Sequence, residues 1–254
     1  LARINQSVND LAVNKRAATK LATNKMALST SSTARGKKQS PSAKRAGRPA
    51  AADQNSRALL LEAASQLLNE RNTIDISLSE LAAHSNLNSA LVKYYFGNKE
   101  GLMLALLQRD AARAIHELEH LLAMDLLPDV KLKLHIAAVI TTFHRSPYLN
   151  RLLHAMLDDR NSDTDSAKQI TQFFVKPFAQ LQSKLLDQGV RAGRFRKIDP
   201  MFFYVSVLGA CDLLFNARFT LRAVFRTPRI TDALRERYVD HVTSLVLHGI
   251  TLTT

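Results

Sequence analysis

Three polar caps cut residues 56–124 into helices whose lengths leave little choice of arrangement. Leu59, Leu60, Ala63, Ala64, Leu67 and Leu68 recur at helical spacing and predict an amphipathic helix over 56–71. Asn72-Thr73 break it, and Ile74 and Ile76 read as apolar plugs in a short connection. Ser77 stands three residues before Glu80, the spacing of a capping box in which the two side chains satisfy orphan helix N–H groups. A short second helix follows, with Leu78, Leu81 and Ala82 inward, and ends near His84. Ser85-Asn86-Leu87 is a three-residue turn, and Asn86 tolerates left-handed backbone better than most residues that carry a β-carbon. Asn88 caps a third helix to Tyr95, Phe96-Gly97-Asn98 stops it, and Asn98 caps a fourth from Lys99 to about Met124. Two short helices joined by a tight turn, behind a longer one, form the helix-turn-helix arrangement.

The rest of the chain also reads as helix. Leu132, Ile136, Val139, Ile140 and Phe143 define one ending before Pro147, and a shorter one covers about 148–158. Asp158 to Ser166 is polar loop, and Gln169–Gln188 is a long helix stopped by Gly189 and Gly193. Asp199 caps, and Pro200 opens, a strongly apolar helix to about Phe219. The last helix spans Thr231 to His248, with Gly249 ending it. No period-two pattern persists, so the expected class is all-α. No apolar run reaches the ~18–20 residues of a membrane span. The single Cys211 cannot form an internal disulfide, which fits a reducing cytosol.

The chain carries 35 basic and 22 acidic residues, a net +13 that points towards nucleic acid. The surplus is uneven. Residues 1–54 hold eleven basic against two acidic residues, 55–125 six against nine, and 126–254 eighteen against eleven. The first segment is poor in large apolar residues and is expected to be a disordered basic arm. Its composition also resembles an organellar transit peptide, while Met26-Ala27 offers an alternative start of the expressed chain.

Residues 87–102, Leu-Asn-Ser-Ala-Leu-Val-Lys-Tyr-Tyr-Phe-Gly-Asn-Lys-Glu-Gly-Leu, resemble the signature of the tetracycline-repressor (TetR) family: a capped recognition helix, an aromatic pair, Phe, a break, Lys-Glu-x-Leu and a long linking helix. Ser77 with Leu81-Ala82 is similar to the family's second helix, and Tyr238 to Ile250 to a common family ending. Asn86 replaces the usual glycine, Asn88 the common Ser or Thr, and Lys93 the usual Tyr. The strong resemblance covers about 55–107. It implies an N-terminal three-helix helix-turn-helix domain and a larger C-terminal helical ligand-binding and dimerisation domain. The expected division is a basic arm (1–54), a DNA-binding domain (55–107) and a C-terminal domain (108–254).

Stepping 100° per residue from an inward Val92 turns Tyr95 and Phe96 to the core, and Ala90, Lys93 and Tyr94 outward with Leu91 at the edge. Ala90 and Leu91 suit a thymine methyl, Lys93 a guanine or phosphate, and Tyr94 and Lys99 a phosphate. In the arm, Lys44-Arg45-Ala46-Gly47-Arg48-Pro49 resembles a minor-groove hook. The candidate DNA-contacting set is Arg45, Arg48, Ser77, Ser89, Ala90, Leu91, Lys93, Tyr94 and Lys99. In the family the last two helices form the dimer interface as a four-helix bundle; here 200–219 and 231–248 suit that role, with Phe203, Val207, Leu214, Tyr238, Val242 and Leu245 as candidates.

Other features have plainer readings. His116-Glu117-Leu118-Glu119-His120 spells H-E-x-x-H, yet Glu119 adds a charge between the histidines and no third ligand is evident. It reads as a solvated helix face. Arg191, Arg194, Arg196 and Lys197 read as a solvated basic loop, with an anionic ligand or a DNA flank as the alternative. Cys211 reads as a small core hydrophobe, and His135, His144 and His154 as packing or surface. The resemblance therefore implies a bacterial, cytoplasmic, nucleoid-associated regulator and not an enzyme. It implies a ligand-responsive homodimeric repressor on a palindromic double-stranded operator, with an unknown small-molecule effector, no cofactor, no metal and no membrane. Control by a protein partner in place of a small ligand is the alternative.

Overall fold

In the computed structural model the described residues are 50–252, apart from 72, 159, 161 and 162. Most of the expected arm, including Arg45 and Arg48, lies outside them. Among the described residues there are eleven α-helices and no strand. They are α1 (Ala50–Arg71), α2 (Leu78–Ser85), α3 (Ser89–Phe96), α4 (Lys99–Ala123), α5 (Pro128–Arg145) and α6 (Pro147–Met156). Then come α7 (Asp165–Ile170), a π-helical turn (Thr171–Val175), α8 (Lys176–Arg191), α9 (Pro200–Asn216), α10 (Arg218–Ala223) and α11 (Asp232–Ile250).

Two apolar clusters organise these helices. The first gathers Leu60, Leu67 and Leu68 of α1, Leu81 of α2, Val92 and Phe96 of α3, and Leu102 and Leu106 of α4. Isolated eight-residue helices are unstable in water, so α2 and α3 owe their existence to docking side chains such as Leu81 and Val92, each fully buried. Tyr148, Leu149 and Leu152 of α6, with Ile170 of α7, complete that first cluster from far along the chain. The second cluster joins the end of α4 (Leu118, Leu122) to α5, α8, α9 and α11. The continuous helix α4 thus serves both cores and passes straight through the expected 107/108 boundary.

Several expectations are corrected. Helix α1 starts at Ala50, six residues early. The long helix expected over 169–188 begins at Asp165 and is interrupted by the π turn, where one extra residue per turn is absorbed. Gly189 does not stop α8. It lies inside it, where a β-carbon would stand 1.9 Å from Phe195 Cδ2. Phe195 is held there by an isolated antiparallel bridge to Thr251. Helix α9 ends at Asn216, three residues before Phe219, which belongs to the separate α10. Gly249 lies within α11, which runs on to Ile250.

The expected dimer residues need the largest revision. Phe203, Val207, Leu214 and Val242 are buried inside the single subunit, and Tyr238 is half-buried with its hydroxyl donating to the Ala210 carbonyl at 2.6 Å. Only Leu245 of the six is exposed. The reason is that α9 is apolar on nearly every side, so periodicity cannot say which stripe faces inward. Its outward stripe is Phe202, Val205 and Leu213, all exposed, with Gly209 between them.

Candidate nucleic-acid interface

Side-chain caps hold α2 and α3 at a fixed length. The Ser77 hydroxyl accepts from the Glu80 N–H at 3.1 Å, and Glu80 Oε2 accepts from the Ser77 N–H at 2.7 Å. The Ser77 backbone N–H, and next the Arg71 guanidinium paired with Glu80, hold that carboxyl down at about 2. The turn pivots on Asn86, whose φ of 54° and ψ of 25° are left-handed. Asn88 Oδ1 accepts from the Ala90 N–H at 2.8 Å, and Asn98 Oδ1 from the Gly101 N–H at 2.8 Å. Gly101 lets α4 start hard against α3, because a β-carbon there would sit 2.1 Å from the Phe96 carbonyl oxygen.

These constraints fix which face of α3 is presented. Val92 and Phe96 are buried, and Leu91 and Tyr95 pack half-buried against the first core. Ala90, Lys93 and Tyr94 point to solvent, with Tyr94 72% exposed. Tyr94 stands edge-on to Tyr95 at a 5.1 Å centroid separation, and the Arg57 guanidinium lies 5.4 Å over the Phe96 ring, bracing α3 from α1. Ser89 opens α3. Ser77 is exposed, and its hydroxyl is engaged with Glu80 as the helix cap. Lys99, the first residue of α4, is ion-paired with Asp75. Ala90, Lys93, Tyr94 and Lys99 therefore gather around the exposed side of α3 and its junction with α4, whereas Leu91 serves mainly as packing.

Residues 60–106 match the model of bacterial regulatory proteins of the tetR family, and residues 125–253 that of the tetracyclin repressor-like C-terminal domain. The chain belongs to the TetR family. It is similar to a TetR/AcrR-family transcriptional regulator from Thermobifida fusca, 19% identical over 77% of this chain and 98% of that one, with a TM-score of 0.59. It is also similar to the fatty acid degradation regulator FadR of Bacillus halodurans, 20% identical over 76% and 98%, TM-score 0.57. A third likeness is to the Bacillus subtilis regulator FadR in complex with stearoyl-CoA, 17% identical over 74% and 97%, TM-score 0.56. These likenesses are of fold. No curated protein matches the chain. The two matched segments are thus a TetR helix-turn-helix domain and a TetR C-terminal domain, the domains of a transcriptional regulator.

Sequence reasoning missed the polar cluster that ties this TetR DNA-binding core to α6. The Tyr148 hydroxyl donates to Asp110 Oδ2 at 2.7 Å, and Arg109 donates to Asp110 Oδ1 at 2.9 Å and to Ser65 Oγ at 2.6 Å. Burial, and then the Asp110 carboxylate, push the Tyr148 phenol above its ordinary range, so it stays a donor. The partners are up to 83 residues apart, and no local spacing announces them. His116 and His120 are exposed on α4, and Leu118 between them is buried. Among the described residues no cluster of three His, Cys, Asp or Glu residues could hold a metal. No helix among them is long and apolar enough to cross a membrane. Arg194 pairs with Asp129 at 2.9 Å and Arg196 donates to the Gly249 carbonyl at 2.7 Å, so half of the basic run has structural partners. Cys211 is buried, and burial pushes its thiol up to about 12.

Proposed function

We propose that this TetR-family chain is a homodimeric, ligand-responsive repressor that acts at the nucleoid of a bacterial cytoplasm on a palindromic operator. The observation that carries the DNA-reading part is the exposed Ala90, Lys93 and Tyr94 face of α3, a helix whose opposite face is wholly spent on packing. Lys93 suits a guanine edge or a phosphate, Tyr94 a phosphate, and Ala90 a thymine methyl. Arg45 and Arg48 are proposed to enter the flanking minor groove. Ser77, Ser89 and Lys99 are proposed to contact the backbone at the edges of α3. The outward apolar stripe Phe202, Val205 and Leu213 of α9, with Leu245 of α11, supports a two-fold dimer, since a monomer gains nothing from exposing it. Two α3 helices would then meet half-sites one turn apart, ~34–36 Å. The C-terminal half carries a half-open hollow beside His144 and Phe215, which is room for a small effector; control by a protein partner is the alternative. No catalytic step is assigned to any residue.

The test enriches duplexes from a random pool on the protein and measures affinity by fluorescence anisotropy. An inverted repeat should emerge, and Lys93→Ala with Tyr94→Ala should weaken it roughly a hundredfold, since each lost contact costs ~1–3 kcal/mol. The helical signal in circular dichroism should be unchanged. Equal affinity for the enriched and the scrambled duplex would overturn the reading.

A further inference from the structure

Between α9 and α11 the chain makes an excursion over residues 218–230 in which no side chain is fully buried. Helix α10 (Arg218–Ala223) forms its first part, and residues 224–230 lead on to α11. The path is defined. Arg226 stands at φ 51°, a left-handed value for a residue with a β-carbon, and the Thr227 N–H donates to the Leu221 carbonyl at 2.9 Å. Leu221 and Ile230 anchor the excursion, packed half-buried against the second core.

What it exposes is of two kinds. Phe219 is 73% exposed, and Val224 and Phe225 are each 65% exposed. None of the three lines the hollow beside His144, so they protrude instead of walling a recess. Arg222, Arg226 and Arg229 accompany them. All three are exposed, and none has a carboxylate partner among the described residues. Arg218 is already engaged and takes no part. Over residues 213–231 the sequence holds no acidic residue at all. On α10, Phe219 and Arg222 are three residues apart and so neighbours on one face.

Protruding apolar side chains among unpaired guanidiniums ask for a partner that is both anionic and apolar. A second copy laying this segment on itself across a two-fold axis brings guanidinium against guanidinium. A DNA duplex satisfies the arginines and leaves the phenylalanines in water. A folded acidic protein needs a recess already shaped to each ring. The surface of an anionic bilayer meets both demands. Its headgroups take the arginines, and its acyl boundary is apolar and yields to whatever protrudes. We propose that the α10 excursion is a peripheral docking surface for an anionic lipid membrane, with Phe219, Val224 and Phe225 entering the acyl boundary and Arg222, Arg226 and Arg229 on headgroup phosphates. Such contact needs no membrane-spanning helix, and no helix among the described residues is long and apolar enough to be one. It departs from the membrane-free expectation drawn from the family resemblance, and it is independent of the operator reading.

The sequence holds no tryptophan, so Phe219→Trp places a single reporter in the surface. The full-length variant is mixed with vesicles of phosphatidylglycerol and phosphatidylcholine in equal parts, beside vesicles of phosphatidylcholine alone. Its emission should shift to the blue, and the protein should sediment, only with the anionic vesicles. Arg222→Ala with Arg226→Ala should weaken binding roughly thirtyfold. Phe219→Ser with Phe225→Ser should weaken it about tenfold or more, with an unchanged helical signal in circular dichroism. No sedimentation with anionic vesicles, or equal binding to both kinds, overturns the proposal. Sedimentation without the blue shift also overturns it, and assigns lipid binding to the basic residues before 55. A shift with polyglutamate and none with vesicles overturns it in favour of an acidic polypeptide. Emission already blue without vesicles, with Phe219→Glu and Phe225→Glu turning a dimer into a monomer, overturns it in favour of a second copy.

Discussion

The His135 imidazole sits in the second core with Nε2 2.8 Å from Gln182 Nε2 and its ring against Phe178. An amide N–H can only donate, so the imidazole accepts at Nε2 and is neutral there. Burial lowers its pKa from 6.5 to about 4. The sign follows from linkage. Below pH 6.5 the unfolded chain takes up a proton that the folded one refuses, so this stability is whole above about 6.5 and is lost as pH falls to about 4. The loss should be on the order of 3 kcal/mol. Urea denaturation at pH 7 and pH 4 should show it, and His135→Leu with Gln182→Leu should flatten the pH slope. A slope unchanged in that variant would assign the effect to other groups. Glu80, depressed to about 2, titrates in a lower window: its contribution is present above its ordinary 4.5 and fades below it.

At the level of elements, Gly189 sets two effects against each other. Alanine in a helix interior is favoured over glycine by ~1 kcal/mol. Here its β-carbon would meet the Phe195 ring at 1.9 Å, and the backbone carrying that ring is pinned by the bridge to Thr251. Overpacking of this kind costs ~1–3 kcal/mol, so Gly189→Ala should lower the thermal midpoint, and Phe195→Leu should restore part of the loss. A raised midpoint would show that the ring moves aside. The same site shows what was legible in the sequence and what was not. Caps announce themselves locally, so Ser77, Asn88, Asn98 and Asp199 place helix starts within a residue or so, and Asn86 places the turn. Gly189 looks like a stop because a sequence shows the glycine but not the ring lying on it. The inward Val92 and outward Tyr94 are legible because α3 has one apolar stripe; α9 has several, and periodicity there does not separate the stripe buried in the subunit from the exposed one. Tyr148, Asp110 and Ser65 meet only in three dimensions.

For the molecule as a whole, the outward stripe on α9 carries the prediction about assembly. Val205→Glu with Leu213→Glu puts charge where a two-fold partner would bury it, while both positions stay exposed in the subunit. Sedimentation should show a dimer for the parent chain and a monomer for the variant, with DNA affinity falling alongside; a dimeric variant would place the interface elsewhere. Charge also reads differently at this scale. The helix-turn-helix region carries more acidic than basic residues, so it depends on a few placed side chains, Lys93 and Tyr94 foremost. The joint between α5 and α6 has a consequence of another kind. Arg145 ends one helix, Pro147 begins the next, and Ser146 alone lies between them. Helix α5 is rooted in the second core and α6 in the first, so the pair forms a bell-crank with almost no play at its elbow. With so short an elbow a tilt of one arm would find little slack and would pass to the other, at the place where Tyr148 grips Asp110.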